Sequence, residues 1–87
     1  MFEAVEFIDR KAHPTAPPEE RILGTFDDET RAVEVARGAR QAFGPSEDYA
    51  WWIVRQAGAR LARWIADSRS TKEFVLDLTS GELVEVE

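Results

Sequence analysis

Two adjacent tryptophans, Trp51 and Trp52, constrain the fold of this chain more than any other feature. They lie in residues 49–55, YAWWIVR, whose β-branched and aromatic content predicts a strand. Successive side chains of a strand point to opposite faces of its sheet, so the two indoles are predicted to lie on opposite sides. One tryptophan then belongs to the core, and the other faces solvent or a partner.

A single amphipathic helix is predicted near residues 28–43. Asp27 is a suitable N-cap, acidic residues follow it, and Gly44 and Pro45 end the pattern. The apolar stripe of this helix is mostly alanine and consists of Ala32, Val35, Ala36, Ala39, Ala42 and Phe43. A helix with such small side chains on its contact face can lie close to a sheet. The sheet must then supply the bulky side chains of the core.

Strands are predicted on both sides of this helix. Residues 2–9 alternate as a strand does, with Val5 and Phe7 on one face, and residues 21–26, RILGTF, are predicted to be a second strand. Between these strands, the proline-rich residues 10–20 predict an exposed, flexible loop. We therefore predict a single α+β domain. It has one helix packed on one face of an antiparallel sheet, in the order ββα followed by a β-meander.

Residues 59–67, ARLARWIAD, are compatible with two structures. Three alanines and two arginines favour a helix, which would run from residue 47 to 68. Gly58 and the β-branched run before it favour a strand, which is the structure we predict.

The chain then ends in a hairpin with the strands EFVLDL and ELVEVE, and Gly81 supplies the positive φ of its turn. The predicted domain spans residues 1–87.

Strand parity predicts which side chains face the helix. Charged side chains are expected on the outer face, so Arg55, Arg63 and Asp77 assign the faces of their strands. The predicted inner face consists of Trp52, Val54, Trp64, Phe74, Leu76, Leu78, Val84 and Val86. The predicted outer face carries Val75 and the candidate interaction residues Tyr49, Trp51, Ile53, Arg55, Leu61, Arg63 and Ile65. So large an apolar patch on a soluble protein predicts a contact surface.

Charge is unevenly distributed along the chain, whose formal net charge is −6. Residues 1–30 carry net −5, residues 31–69 net +3 and residues 70–87 net −4. An acidic chain repels nucleic acid at long range, so nucleic-acid binding is disfavoured, although the central arginines allow a local contact. No apolar run is long enough for a membrane span, and the N-terminus does not resemble a signal peptide. We therefore expect a cytoplasmic protein.

The sequence offers no set of residues suited to catalysis or to a cofactor. His13 is the sole histidine and cysteine is absent, so no metal site with nitrogen or sulfur ligands is expected. The acidic cluster Asp27, Asp28 and Glu29 suits a helix start better than a bound cation. We expect a noncatalytic domain without cofactor or metal.

The block of aromatic and arginine residues is the candidate for function. Tryptophan, tyrosine and arginine are enriched at protein–protein hot spots, so a protein partner or a homodimer is the first hypothesis. Single-stranded nucleic acid or a small ligand is the alternative, because aromatic rings and arginines also stack on bases. In a third, purely structural interpretation, the tryptophans fill the core and arginines cover their rings as cation–π contacts.

Overall fold

The computed structural model describes residues 1–86, which form one helix and six strands. In chain order the elements are β1 (Phe2–Asp9), β2 (Glu19–Phe26), α1 (Glu29–Phe43), β3 (Tyr49–Gln56), β4 (Ala62–Asp67), β5 (Glu73–Leu76) and β6 (Leu83–Glu85). The strands form a single antiparallel sheet in the order β2-β1-β3-β4-β5-β6. The predicted α+β architecture, a ββα unit followed by a meander, is confirmed.

The N-terminal strand lies in the interior of the sheet. β1 pairs antiparallel with β2 on one side and with β3 on the other. β2 and β3 therefore run parallel to each other, and α1 is the crossover that connects them past β1. The helix packs mainly against these three strands, so the β4–β6 end of the sheet extends beyond it.

The helix begins one residue later than the sequence predicts. Its N-cap is Asp28 rather than Asp27, and the Asp28 carboxylate accepts a hydrogen bond from the Thr30 amide at 2.9 Å. Glu29 in the first turn suits the positive end of the helix dipole. Gly44 ends the helix as predicted, with a φ of 66° that residues bearing a Cβ rarely adopt.

The core combines a small-residue helix face with two large indoles, as predicted. Trp52 and Trp64 are 0% and 1% exposed and lie in one cluster with Ala32 and Ala36 of α1. The other sheet residues of this cluster share the face of these tryptophans: Ala4, Ala50, Val54 and Ala66. Trp51 alternates with them along β3, so the predicted placement of Trp52 inside and Trp51 outside is confirmed.

Each buried indole donates its N–H to a glutamate. Trp52 Nε1 donates to Glu6 Oε2 at 2.9 Å, and Trp64 Nε1 donates to Glu73 Oε1 at 3.1 Å. Glu6 is 6% exposed, and its other carboxylate oxygen forms an ion pair with Arg21 at 3.1 Å. No buried side-chain nitrogen or oxygen within residues 1–86 lacks a hydrogen-bond partner, as stable packing of polar groups requires.

The faces of β5 are the reverse of those predicted. Val75 lies opposite Trp64 and packs against the core cluster, so Phe74 and Leu76 face outward. The prediction was wrong because it used the charge of Asp77 to identify the outer face of β5, and β5 ends one residue earlier, at Leu76. The Asp77 carboxylate belongs to the following turn, where it accepts a backbone N–H at 3.0 Å. A carboxylate that caps a turn carries no information about the face of the preceding strand.

The loop between β1 and β2 is exposed as predicted, but it covers residues 10–18 because β2 begins at Glu19. Its first residues are held by ion pairs and a backbone contact. Arg10 pairs with Glu19 at 2.8 Å and with Asp48 at 3.1 Å, and the Lys11 amide donates to Asp48 at 3.0 Å. The Lys11 amide, followed by the Arg10 guanidinium, lowers the pKa of Asp48.

The segment that was compatible with two structures is a strand, as predicted. β4 occupies residues 62–67, and Gly58, with a φ of 83°, lies in the turn before it. Gly81 has the predicted positive φ, 74°, in the terminal hairpin. Residue 87, the last of the predicted hairpin, lies outside the described residues.

Replacing Trp52 with alanine should reduce the free energy of unfolding by about 3–5 kcal/mol, because it removes one of the two largest buried side chains. Trp52→Phe keeps most of the ring but removes the N–H that Glu6 accepts, so we expect a loss of about 1–3 kcal/mol. Urea unfolding followed by circular dichroism measures both changes. A phenylalanine variant as stable as the original protein would contradict a stabilising role for the indole–Glu6 hydrogen bond.

Candidate functional site

The sheet face directed away from the core cluster, here called the outer face, is largely apolar. Its residues include Val5, Phe7, Ile22, Tyr49, Trp51, Ile53, Arg55, Ile65, Asp67, Phe74, Leu76 and Leu83. Five of them stand opposite one another in consecutive strand pairs: Ile22, Val5, Ile53, Ile65 and Phe74. Cross-strand neighbours lie within contact distance, so these side chains form a continuous apolar row across five strands.

Three aromatic rings pack along one side of this row. Phe7 and Trp51 stack with their centroids 5.1 Å apart, and Tyr49 tilts against Trp51 at 5.6 Å. The Tyr49 hydroxyl donates to Asp67 Oδ2 at 3.2 Å, and the Arg69 guanidinium carbon lies 4.9 Å from the centre of the tyrosine ring. Burial, reinforced by the Asp67 carboxylate, raises the pKa of Tyr49. The tyrosine therefore remains a neutral hydrogen-bond donor at physiological pH.

Arg55 lies on the other side of the row, opposite Glu3, and its side chain reaches across the row toward Glu20, which stands opposite Phe7. From β3 its side chain extends across β1, with Nε 3.8 Å from Glu3 Oε1 and Nη2 3.3 Å from Glu20 Oε1 on β2. The side chain of Arg55 is only 21% exposed. Val5, on the strand that Arg55 crosses, is fully buried although α1 packs on the opposite face. Side chains of the outer face thus pack against one another within one chain.

Accessibility increases along the outer face toward β6. At its centre Val5 and Ile53 are buried. Toward β6 the side chains become half-buried and then exposed: Ile65, Phe74, Leu76 and Leu83. The accessible apolar side chains of the outer face therefore lie over β4, β5 and β6 and, at the opposite edge of the sheet, at Ile22 of β2.

Five of the predicted interaction residues come together on the outer face: Tyr49, Trp51, Ile53, Arg55 and Ile65. Leu61 and Arg63 lie apart from them. Leu61 precedes β4 and is 58% exposed. Arg63 lies at a bulge in the β3–β4 pairing, and its Nε donates to Glu29 of α1 at 3.2 Å. The bulge adds one residue to β4, so simple alternation assigns Arg63 to the wrong side of the sheet.

Several outer-face residues were missed by sequence reasoning. Val5 and Phe7 were correctly predicted to share one face of β1, but a local pattern does not reveal that β1 lies beside β3. Phe74 and Leu76 were predicted on the inner face because Asp77, a residue of the following turn, was taken as part of β5. Strand order was the missing information in the first case, and the end of β5 in the second.

Three of the seven arginines in residues 31–69 pair with acids from the two acidic ends of the chain. Arg55 and Arg63 do so through the contacts described above. Arg37 makes a bidentate contact with Glu73 at 2.7 and 2.8 Å. The pairing leaves no continuous positive surface built from these three side chains.

Cation–π contacts within residues 1–86 involve phenylalanine and tyrosine rings. The guanidinium groups of Arg31, Arg63 and Arg69 lie over Phe26, Phe2 and Tyr49, at centroid distances of 5.8, 5.5 and 4.9 Å. The rings of the buried tryptophans meet other groups instead, and Phe43 contacts Trp52 edge-on at 5.6 Å.

A cleft of about 480 Å³ lies between the end of α1 and the β4–β5 loop. Two arginines line it, and both are engaged within the fold. Arg40 donates to the backbone carbonyls of Asp67 and Ser70, and Arg37 donates to Glu73. These contacts join the helix to the meander.

Within residues 1–86, no group of three or more histidine, cysteine, aspartate and glutamate side chains is placed to hold a metal ion. In the same part of the chain, no helix has the length and apolar character needed to cross a membrane.

Comparisons of the chain with models of protein families, with curated proteins and with solved structures found no match. The contacts of the outer face are therefore the basis for a functional proposal.

The ion pair between Arg37 and Glu73 should make stability depend on pH. The Arg37 guanidinium, followed by the Trp64 indole, lowers the pKa of Glu73 from its ordinary value of 4.5. A lowered pKa means that the stabilisation is complete above that ordinary value and is lost as the pH falls through the folded-state pKa. Urea unfolding should therefore show a larger difference between the original protein and Glu73→Gln at pH 7 than at pH 3. Glu82→Gln, which changes an exposed glutamate, is the control and should show no such trend.

Proposed function

We propose that this chain is a noncatalytic interaction module that forms a homodimer through the outer face. The observation that carries the proposal is the apolar row over five strands, on the sheet face opposite the helix. Soluble monomers rarely expose a contiguous apolar surface of several hundred Å². A second copy of the chain that packs on this row would remove its accessible part from water.

The size of the outer face approaches that of a small dimer interface. Six strands at about 4.8 Å spacing give a width of roughly 25–30 Å, and strands of about six residues give a length of roughly 20 Å. The resulting footprint of roughly 500–600 Å² is near the lower end of stable interfaces, which bury about 800 Å² per partner in the typical case. Side chains project from the sheet to different heights, so the area that a partner can bury is larger than this flat footprint.

The distribution of charge on the outer face also supports this proposal. The row ends at Glu85, which stands opposite Phe74, while Arg55 with Glu3 lies on one side of it and Asp67 with Arg69 lies on the other. An apolar centre with a polar rim is the usual organisation of a protein interface. A two-fold axis would place the same surface on both partners, and the two sheets would stack face to face.

The outer face is already ordered within one chain. Phe7, Trp51 and Tyr49 hold one another in place, and Val5 and Ile53 are buried among their neighbours. Side chains that are fixed before association lose little conformational entropy when a partner binds. Such an arrangement favours a preformed contact surface over one that must be rebuilt on binding.

The alternative partner, single-stranded nucleic acid, has less support. A phosphate contact would have to displace the acids that hold Arg55, which are Glu3 and Glu20. Arg63 lies on the helix side of the sheet with Glu29 and does not line the same surface as Trp51. Nucleic-acid affinity depends mainly on phosphate neutralisation, which these pairings reduce.

Phe74→Arg should convert the proposed dimer into a folded monomer, because it places a charge in the accessible part of the outer face. Sedimentation equilibrium should then give half of the mass measured for the original protein. The control Gln41→Arg makes the same charge change on the exposed surface of α1 and should retain the dimer mass. An original protein that sediments as a monomer throughout the micromolar range would contradict the proposal.

Trp51→Ala separates the interface from the core. It removes an outer-face ring that contacts Phe7 and Tyr49, so we expect a folded protein with weakened self-association.

Titration with oligothymidylate, followed by tryptophan fluorescence, tests the alternative partner. Salt-sensitive binding that is lost in both Trp51→Ala and Arg55→Ala would support nucleic acid over a second copy.

A further inference from the structure

The main-chain groups of β6 that point away from β5 can be identified from the hydrogen-bond pattern. The Asp77 amide donates to the Glu82 carbonyl and the Val86 amide donates to the Glu73 carbonyl, both at 2.8 Å. Antiparallel strands alternate between residues that bond to the partner and residues that do not. The N–H and C=O groups of Leu83 and Glu85 therefore point to the open edge of the sheet.

The two edges of the sheet differ in how they are protected. β2 carries a bulge in its pairing with β1, and its Arg21 and Glu20 side chains are held by ion pairs. Bulges and charges are the usual means of blocking an edge strand. β6 also carries an ion-paired acid, Glu85 with Lys72, but its three residue pairs with β5 show no irregularity, so its edge is regular.

Exposed apolar side chains are concentrated around this open edge. Four of the seven large apolar residues that are exposed in the described chain lie in the terminal hairpin: Leu78, Leu83, Val84 and Val86. Leu83 faces the outer face and Val84 faces the inner face, opposite Val75. An incoming strand would cover apolar side chains on both faces of the sheet.

The acidic charge around the β6 edge favours an incoming strand that carries basic side chains. Residues 70–87 carry net −4, and Glu82 and Glu85 flank the apolar residues of β6. Two copies of β6 side by side would bring these glutamates together, and like charges across a strand pair are destabilising. Glu85 Oε1 lies 3.8 Å from Lys72 Nζ, and both side chains are about half exposed, so a lysine or arginine on the incoming strand would compete with Lys72 for Glu85 on the outer face.

We infer that β6 is a recognition edge for an extended segment of another protein in which basic and apolar residues alternate. The segment adds a seventh strand to the sheet and pairs with the main-chain groups of Leu83 and Glu85. Its basic side chains lie beside Glu85, and its apolar side chains cover Val84. This contact uses the main-chain groups at the edge of β6, whereas the proposed homodimer uses side chains of the outer face, of which Leu83 is one.

A synthetic peptide of alternating lysine and valine is the probe, and a peptide of alternating glutamate and valine is its control. In ¹⁵N-labelled protein, the lysine peptide should slow hydrogen exchange of the Leu83 and Glu85 amides by at least about tenfold. Amides of β2 should not change. The glutamate peptide should have no effect. The inference is overturned if no change occurs up to about 1 mM lysine peptide, the weak end of specific recognition, or if protection appears at β2 instead.

Three variants distinguish main-chain pairing from charge attraction. Glu85→Pro removes an N–H that points to the open edge, where proline is tolerated, and should abolish peptide binding in a folded protein. Glu85→Gln removes the charge alone and should weaken binding while the Leu83 amide remains protected. Glu82→Lys combined with Glu85→Lys should reverse the preference toward the glutamate peptide. Unchanged binding in a folded Glu85→Pro variant would overturn the inference, whatever the mass of the protein in solution.

Discussion

The burial of two indoles against an alanine-lined helix is the contact on which the rest of the structure depends. Trp52 and Trp64 fill the space that the small side chains of α1 leave open. Their N–H groups require acceptors, which places Glu6 and Glu73 on the inner face of the sheet, and these acids in turn attract Arg21 and Arg37. With Trp52 inside, alternation along β3 directs Trp51 outward, where it meets Phe7 of the neighbouring strand. The packing of the core and the composition of the outer face are thus two consequences of one arrangement.

The fold also redistributes the charge that is segregated along the sequence. The basic middle segment supplies most of α1 together with β3 and β4, and the acidic ends supply β1, β2 and the terminal hairpin. Sheet pairing and helix packing bring these parts together, so Arg37, Arg55 and Arg63 each find a carboxylate from a distant part of the chain. Partly exposed pairs of this kind contribute little stability individually. They also engage three arginines within the fold, away from the apolar row and the acidic β6 edge, which are the two surfaces proposed for recognition.

Local patterns were sufficient for most of the fold and for half of the candidate site. The alanine stripe, Gly44 and the alternation around Trp52 predicted the helix, its end and the faces of β3. Two kinds of information were not local. The bulge in the β3–β4 pairing moved Arg63 to the helix side, and bulges depend on the pairing of two strands. The neighbours of β1 depend on the whole topology, so the stack of Phe7 on Trp51 was not predictable from either strand alone.

The central position of β1 has a consequence for how the protein unfolds. The N-terminal hairpin and the C-terminal meander share this one strand, since β1 bonds to β2 on one edge and to β3 on the other. Loss of either part would leave a full edge of β1 without partners and would uncover the cluster beneath α1. Within residues 1–86 the core cluster draws on β1, α1, β3 and β4 together, so no single part of this range contains a complete core. The domain is therefore expected to melt in a single cooperative step, without a stable half-folded intermediate.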